Sequence, residues 1–235
     1  MRSLQEKPLG IMQLDTRFPR IPGDVANPKS YEFPIIIKVV SGANFKKAEK
    51  AGDPDVLALF LEAALELESQ GVFAITTSCG FLAAYQRELA SSVNVPVFLS
   101  SLLQIPMVQI MTGGRVGIVT ARAATFTDEH LRAAGVSSDI LTAVAGLENM
   151  PAFQECVLAD GPKIDPERIE TEVLEATGAM LKHHSDIGAF VFECHNLAPY
   201  GPAVVEAFGK PVFDIITLAH FVRDGVFKRG FLPRS

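Results

Sequence analysis

Cys79 and Cys194 occupy matching places in two related segments. Aligned on the cysteines without a gap, Leu82 falls on Leu197, Ala83 on Ala198, Tyr85 on Tyr200, Pro96 on Pro211, Val97 on Val212 and Phe98 on Phe213. A thiol just beyond a strand and at the first turn of a helix lies where backbone N–H groups and the helix dipole favour the thiolate. If the duplicated segments face each other across a pseudo-twofold axis, two such sulfurs approach one cleft from opposite sides. Opposed groups that each exchange a proton can take hydrogen from one face of a carbon and return it on the other. That chemistry is racemisation or epimerisation. The third cysteine, Cys156, has no counterpart in the other segment and reads as a buried space-filler.

Removing a proton beside a carboxylate builds negative charge on its oxygens, so donors must be aimed there. Thr76, Thr77 and Ser78 at one strand end and Asn196 beyond another are the first candidates, with Ser78 equally readable as a helix N-cap. Thr120 and Thr125 are further substrate-binding candidates, although capping is their simpler role. Asp15, Thr16 and Arg17 follow the first strand, on the rim of the cysteines if the sheet is parallel. Arg17 could hold a carboxylate through paired hydrogen bonds. His195 either tunes the neighbouring thiol, since an imidazolium lowers a cysteine pKa, or faces water at a helix start. Glu193 either orients a base or caps a helix. Arg20 and Asp24 lie in a Pro-rich stretch, 18–28, that reads as a loop or lid and leaves their roles open. His130, His183, His184 and His220 sit in helical context without metal-ligand spacing, so no metal site is expected.

These residues need elements to hold them. Short apolar runs at 9–14, 34–40, 72–77, 96–100, 115–120, 140–145, 187–193 and 211–215 read as buried strands. Between them, 54–70, 81–91, 125–134, 166–183 and 197–208 have helical spacing, with Asp53, Asp165 and Thr125 placed as N-caps. The alternation predicts an α/β protein of two pseudo-symmetric lobes, each a mostly parallel sheet flanked by helices, with the active site in the cleft between them. A weaker echo of Leu9-Gly10-Ile11 in Val116-Gly117-Ile118 puts the boundary near Thr112-Gly113-Gly114. One lobe is then 1–112 with 214–235, and the other is 113–213.

Thr76-Thr77-Ser78-Cys79-Gly80-Phe81-Leu82 and Glu193-Cys194-His195-Asn196-Leu197-Ala198-Pro199-Tyr200 resemble the two cysteine motifs of the aspartate/glutamate/hydantoin racemase superfamily. Residues 10–20, with Pro22-Gly23-Asp24 after them, resemble its aspartate/glutamate racemase-like subgroup. The likeness spans nearly the whole chain. It implies a cofactor-independent isomerase in which Cys79 and Cys194 alternate as acid and base on a small carboxylic acid, amino acid or related carbonyl compound. Gly80-Phe81 and His195 stand where the best-known amino-acid racemases carry Asn-Thr and Thr, so the resemblance does not by itself imply an α-amino acid as substrate. Relatives with one catalytic cysteine include maleate isomerases and arylmalonate decarboxylases, and retention of both thiols favours a racemase. A single-thiolate isomerase or decarboxylase of a dicarboxylate, or a non-catalytic binding protein, are the alternatives. A homodimer follows only by analogy with those relatives.

Composition sets the outer bounds. Of 235 residues, 48% are hydrophobic and 20% charged, enough apolar material for a sizeable core. With 21 Lys and Arg against 27 Asp and Glu, the net charge of -6 argues against nucleic acid or an anionic membrane as partner. Residues 1–10 lack the apolar centre of a secretory signal, and no apolar run approaches membrane-spanning length. A soluble, cytoplasmic protein with free thiols is expected. Gly113-Gly114-Arg115-Val116-Gly117 precedes a strand, whereas a dinucleotide fingerprint must follow one, so no cofactor is indicated.

Overall fold

A computed structural model describes residues 7–49 and 52–228. The outer ends of the first expected lobe, 1–6 and 229–235, lie outside the described residues. Two parallel sheets form the frame. In the first, β1 (Leu9–Leu14) runs between β2 (Ile35–Val40) and β3 (Ala74–Thr77). In the second, β4 (Arg115–Thr120) runs between β5 (Thr142–Gly146) and β6 (Ile187–Phe192), and β7 (Val212–Phe213) lies beyond β6. Each central strand is apolar along nearly its whole length, as a strand covered on both faces must be. The expected strand over 96–100 is reduced to one parallel bridge, Ile75 to Val97. It fills the place that β7 takes in the second sheet, and the Thr76 hydroxyl donates to Phe98 O at 2.6 Å beside it.

The helices in chain order are α1 (Phe45–Ala48), α2 (Pro54–Ser69), α3 (Gln86–Ser92), α4 (Ile105–Thr112) and α5 (Asp128–Ala133). They continue with α6 (Pro151–Phe153), α7 (Pro166–His183), α8 (Gly201–Phe208) and α9 (Ile215–Val226). Asp53 accepts the N–H groups of Asp55 and Val56, and Asp165 accepts that of Arg168; each precedes a proline in the first helical position. The cap expected at Thr125 falls instead at Thr127, whose N–H is accepted by His130 Nδ1.

The two sheets exchange helices. Ile105 and Val108 of α4 pack with Val116, Ile118, Ala189 and Val191 of the second sheet. Ile215, Leu218 and Ala219 of α9 return to Leu9, Ile11 and Phe73 of the first. Between the sheets runs one continuous core that contains Met12 and Ile75, Val119 and Phe192, and both Cys79 and Cys194.

Candidate active site

Strand β3 ends at Thr77 and β6 at Phe192, and a cysteine opens a 3₁₀ turn two residues after each. Cys79 precedes the turn Gly80–Tyr85, and Cys194 precedes the turn His195–Tyr200. The sequence repeat is thus a structural repeat, down to the tyrosine that closes each turn. Thr77 Oγ1 accepts the Cys79 N–H at 2.8 Å and donates to Cys79 O, which fixes the first turn. The N–H groups of Phe81 and Leu82 face the Cys79 sulfur, and that of Asn196 faces the Cys194 sulfur.

The two motifs touch. His195 Nδ1 lies 2.8 Å from Thr77 O, and a carbonyl only accepts, so the proton sits on Nδ1 and Nε2 is left as a bare acceptor. A Cβ on Gly80 would lie 2.1 Å from Glu193 O and 2.4 Å from Glu193 Oε1, so only glycine admits this approach. Glu193 therefore stands between the residue after Cys79 and Cys194 itself. Thr120 Oγ1 donates to Glu193 Oε2 at 2.7 Å.

Burial dominates the charge states. Each thiol residue is only 5% exposed. Burial first, and then the Glu193 carboxylate, push both Cys79 and Cys194 well above the usual thiol range, against the opposing N–H groups. The activation expected from a helix-start position is outweighed in this closed site. Burial raises Glu193 to about 7 despite the Thr120 hydrogen bond. Burial lowers His195 to about 4, aided by Arg20, so the imidazole is neutral near pH 7 and supplies no imidazolium to the thiol.

The Pro-rich loop closes over the second turn. Gly23, at φ +96°, lies so near Pro199 that a Cβ would come within 2.9 Å of Pro199 Cα. Arg20 reaches from this loop to Asn196 Oδ1 at 3.0 Å, to Thr16 Oγ1 at 2.8 Å and to the buried Asp24 carboxylate at 3.3 Å. Its guanidinium lies 4.1 Å from the Phe18 ring centroid. Asp160, itself at φ +54°, accepts the N–H groups of Arg17 and Phe18 at 2.6 and 2.9 Å and ties the start of the loop to the second half of the chain.

The residues expected to bind substrate divide by these contacts. The Asn196 N–H faces the Cys194 sulfur, Thr77 bonds the Cys79 backbone, His195 bonds Thr77 O, and Thr120 bonds Glu193 next to Cys194. The Thr76 hydroxyl is bonded to Phe98 O, and Ser78 Oγ accepts the Leu14 N–H at 2.9 Å. Both hold strand ends. Asp15 is exposed and accepts the Gly42 N–H; Arg17 is exposed; Thr125 bonds Arg122 O at 3.4 Å. Arg20, not Arg17, is the arginine that reaches the motif. Glu193 and Tyr200 belong to the site as well. Tyr200 matches Tyr85 in the repeat, but the Tyr85 hydroxyl bonds the backbone of Asp53 while the Tyr200 hydroxyl is buried without a hydrogen-bond partner.

That hydroxyl is one of five such atoms here. Arg20 Nε, Glu193 Oε1, His195 Nε2 and Asn196 Nδ2 are also buried without a hydrogen-bond partner. Buried polar groups are ordinarily satisfied, and five of the eight buried side-chain atoms without a hydrogen-bond partner among the described residues fall in this one place. Among the described residues, no group of three or more His, Cys, Asp or Glu side chains is arranged to hold a metal ion. None of the described helices is long and apolar enough to cross a membrane.

Paired cysteines on two parallel α/β sheets give this chain the fold of the racemases and decarboxylases that resemble it in structure. An arylmalonate decarboxylase structure superposes with a TM-score of 0.60 at 15% identity, covering 95% of this chain and 93% of that one. Allantoin racemase from Pseudomonas fluorescens superposes at 0.59 and 14%, covering 93% and 90%. At these identities the likeness is one of fold. No family model matches the sequence. Closer relatives are curated lyases. The dimethylsulfoniopropionate lyase of Durusdinium sp. clade D is 30% identical over 238 residues, 98% of this chain and 77% of that protein. Dimethylsulfoniopropionate lyase 3 of Emiliania huxleyi (strain CCMP1516) is 32% identical over 220 residues, 89% of this chain but 57% of that protein.

The chain belongs to the dimethylsulfoniopropionate lyase family. This overturns the expectation of a racemase or epimerase, and of an isomerase, because these relatives are lyases. It likewise displaces the single-thiolate isomerase or decarboxylase and the non-catalytic binding protein. The sequence motifs reveal the paired thiols; they do not reveal the kind of reaction the relatives carry out.

Proposed function

We propose that this protein cleaves the carbon–sulfur bond of dimethylsulfoniopropionate by β-elimination. One base removes a proton from the carbon beside the carboxylate, and that C–H pair becomes the new C=C bond. The bond from the β-carbon to sulfur breaks with its electrons on sulfur, which departs as neutral dimethyl sulfide and leaves acrylate. A sulfonium leaves as a neutral thioether and needs no acid, so one thiolate suffices. Cys79 receives two backbone N–H groups and Cys194 one, which favours Cys79 as that base. Arg20 and Asn196 carry the donors for the charge that develops on the substrate carboxylate.

The observation that carries this reading is the cluster of unpartnered buried polar atoms beside the thiols, in a chain related to lyases throughout most of its length. The test is to incubate purified protein with dimethylsulfoniopropionate and measure acrylate and dimethyl sulfide. Equal amounts of both are expected, and Cys79→Ser should lower the rate at least about 100-fold, the range of a lost general base. Absence of acrylate from the wild-type protein overturns the reading.

A further inference from the structure

The unpartnered atoms are sorted by polarity. Arg20 Nε and Asn196 Nδ2 are donors, and the Arg20 guanidinium also bonds Asn196 Oδ1, so these two belong together. Glu193 Oε1 and His195 Nε2 are acceptors. Glu193 is fully buried, with no ion-pair partner among the described residues; Thr120 satisfies only its other oxygen, and Arg20 is taken by Asp24. A buried carboxylate normally has a cation or a proton to balance it. Gly80 leaves the space in which this one approaches the first cysteine's turn.

We propose that Glu193 is a specificity-determining residue whose carboxylate faces the cationic end of a zwitterionic substrate, while Arg20 and Asn196 hold the anionic end. The inference rests on the lyase reading for the identity of that cation, a sulfonium. His195 Nε2 is a second buried acceptor without a proton or a hydrogen-bond partner.

Binding can be measured without turnover. Two ligands carry the same carboxylate and nearly the same shape: 3-(trimethylammonio)propanoate has a fixed positive charge, and 4,4-dimethylpentanoate has none. Calorimetric titration at pH 8 should show wild-type protein binding the cation roughly tenfold or more tightly than the neutral isostere, as a buried charge pair implies. Glu193→Gln should bring the two affinities within about twofold, through loss of the cation alone. A preference that survives in Glu193→Gln, or that is missing in the wild type, overturns the inference. Should Glu193→Gln fail to fold, Glu193→Asp carries the test: withdrawing the charge by one methylene must shrink the preference, and an unchanged preference overturns the inference. A Glu193-dependent preference in a protein that makes no acrylate would leave this inference standing and overturn the lyase reading.

Discussion

At the residue scale, the proposed elimination would break the symmetry between the thiols. A racemase needs both sulfurs, whereas a lyase with a neutral leaving group needs one base, so Cys194→Ser should retain measurable acrylate formation where Cys79→Ser does not. Equal loss in both variants would contradict the assignment of Cys79. Glu193 and His195 should also leave opposite marks on stability. Glu193 titrates at about 7 against an ordinary 4.5, so its favourable contribution is fully present below 4.5 and is lost as pH rises through about 7. His195 titrates at about 4 against 6.5, so its contribution is present above 6.5 and is lost as pH falls through about 4. Each is worth on the order of 3 kcal/mol, and the two slopes nearly cancel in the wild type between pH 4.5 and 6.5. Urea titrations should therefore show Glu193→Gln gaining stability relative to wild type as pH rises from about 4.5 to 7. A pH-independent difference would refute the burial of an ionisable Glu193. The cysteines were legible because an in-phase repeat survives in the letters of the sequence. Glu193, Arg20 and Tyr200 were visible in the sequence without an assigned role, since what distinguishes them is an unpartnered atom, which only contacts reveal. His195 was legible as the neighbour of Cys194, but burial keeps its imidazole neutral near pH 7, so the imidazolium that one reading required is absent.

At the element scale, β1, β4 and α7 lie where periodicity and caps put them, whereas α4 escaped. Its outward face carries Ile110, 79% exposed, with Met107 and Met111, so it lacks the polar stripe that marks an amphipathic helix. The 3₁₀ turns after the cysteines were absorbed into the helices that follow, because apolar spacing does not separate the two geometries over six residues. The stretch 18–28 was legible as a loop from its prolines, but its tie to Asp160 was not, since Asp160 lies far away in sequence. If this loop covers the thiols, which are 5% exposed, lifting it should speed their reaction with a reagent. Asp160→Ala removes the acceptor for two backbone N–H groups, a loss of about 1 to 3 kcal/mol, and so should speed alkylation of Cys194 by roughly 5- to 100-fold. Mass spectrometry of iodoacetamide-labelled protein reads this directly; an unchanged rate would mean that the thiols open by another route.

At the scale of the whole molecule, the duplicated order of strands was readable from the repeat, and 214–235, which contains α9, was grouped with the first lobe. The packing of α4 on the second sheet was not legible, because α4 lies outside the repeated segments and falls within 1–112, the first lobe. The exchange has a thermodynamic consequence. With α4 packed on β4 and β6, and α9 on β1 and the residues before β3, neither sheet completes its core without chain from beyond the other's last strand. The central core, which holds both cysteines, draws on the two sheets alike. Such an arrangement should unfold as one unit. Leu218→Ala tests it from one side only: Leu218 is nearly buried in the cluster of Leu9, Ile11 and Phe73, so truncation should cost about 2 to 5 kcal/mol. In urea, alkylation of Cys79 reports the first sheet and that of Cys156, buried in the second half, reports the other. Both should become reactive at the same, lowered denaturant concentration as helicity is lost. Early reactivity of Cys79 alone would show lobes that unfold separately, and the two-sheet core would then be a contact between independent halves rather than the frame that holds the two thiol motifs together.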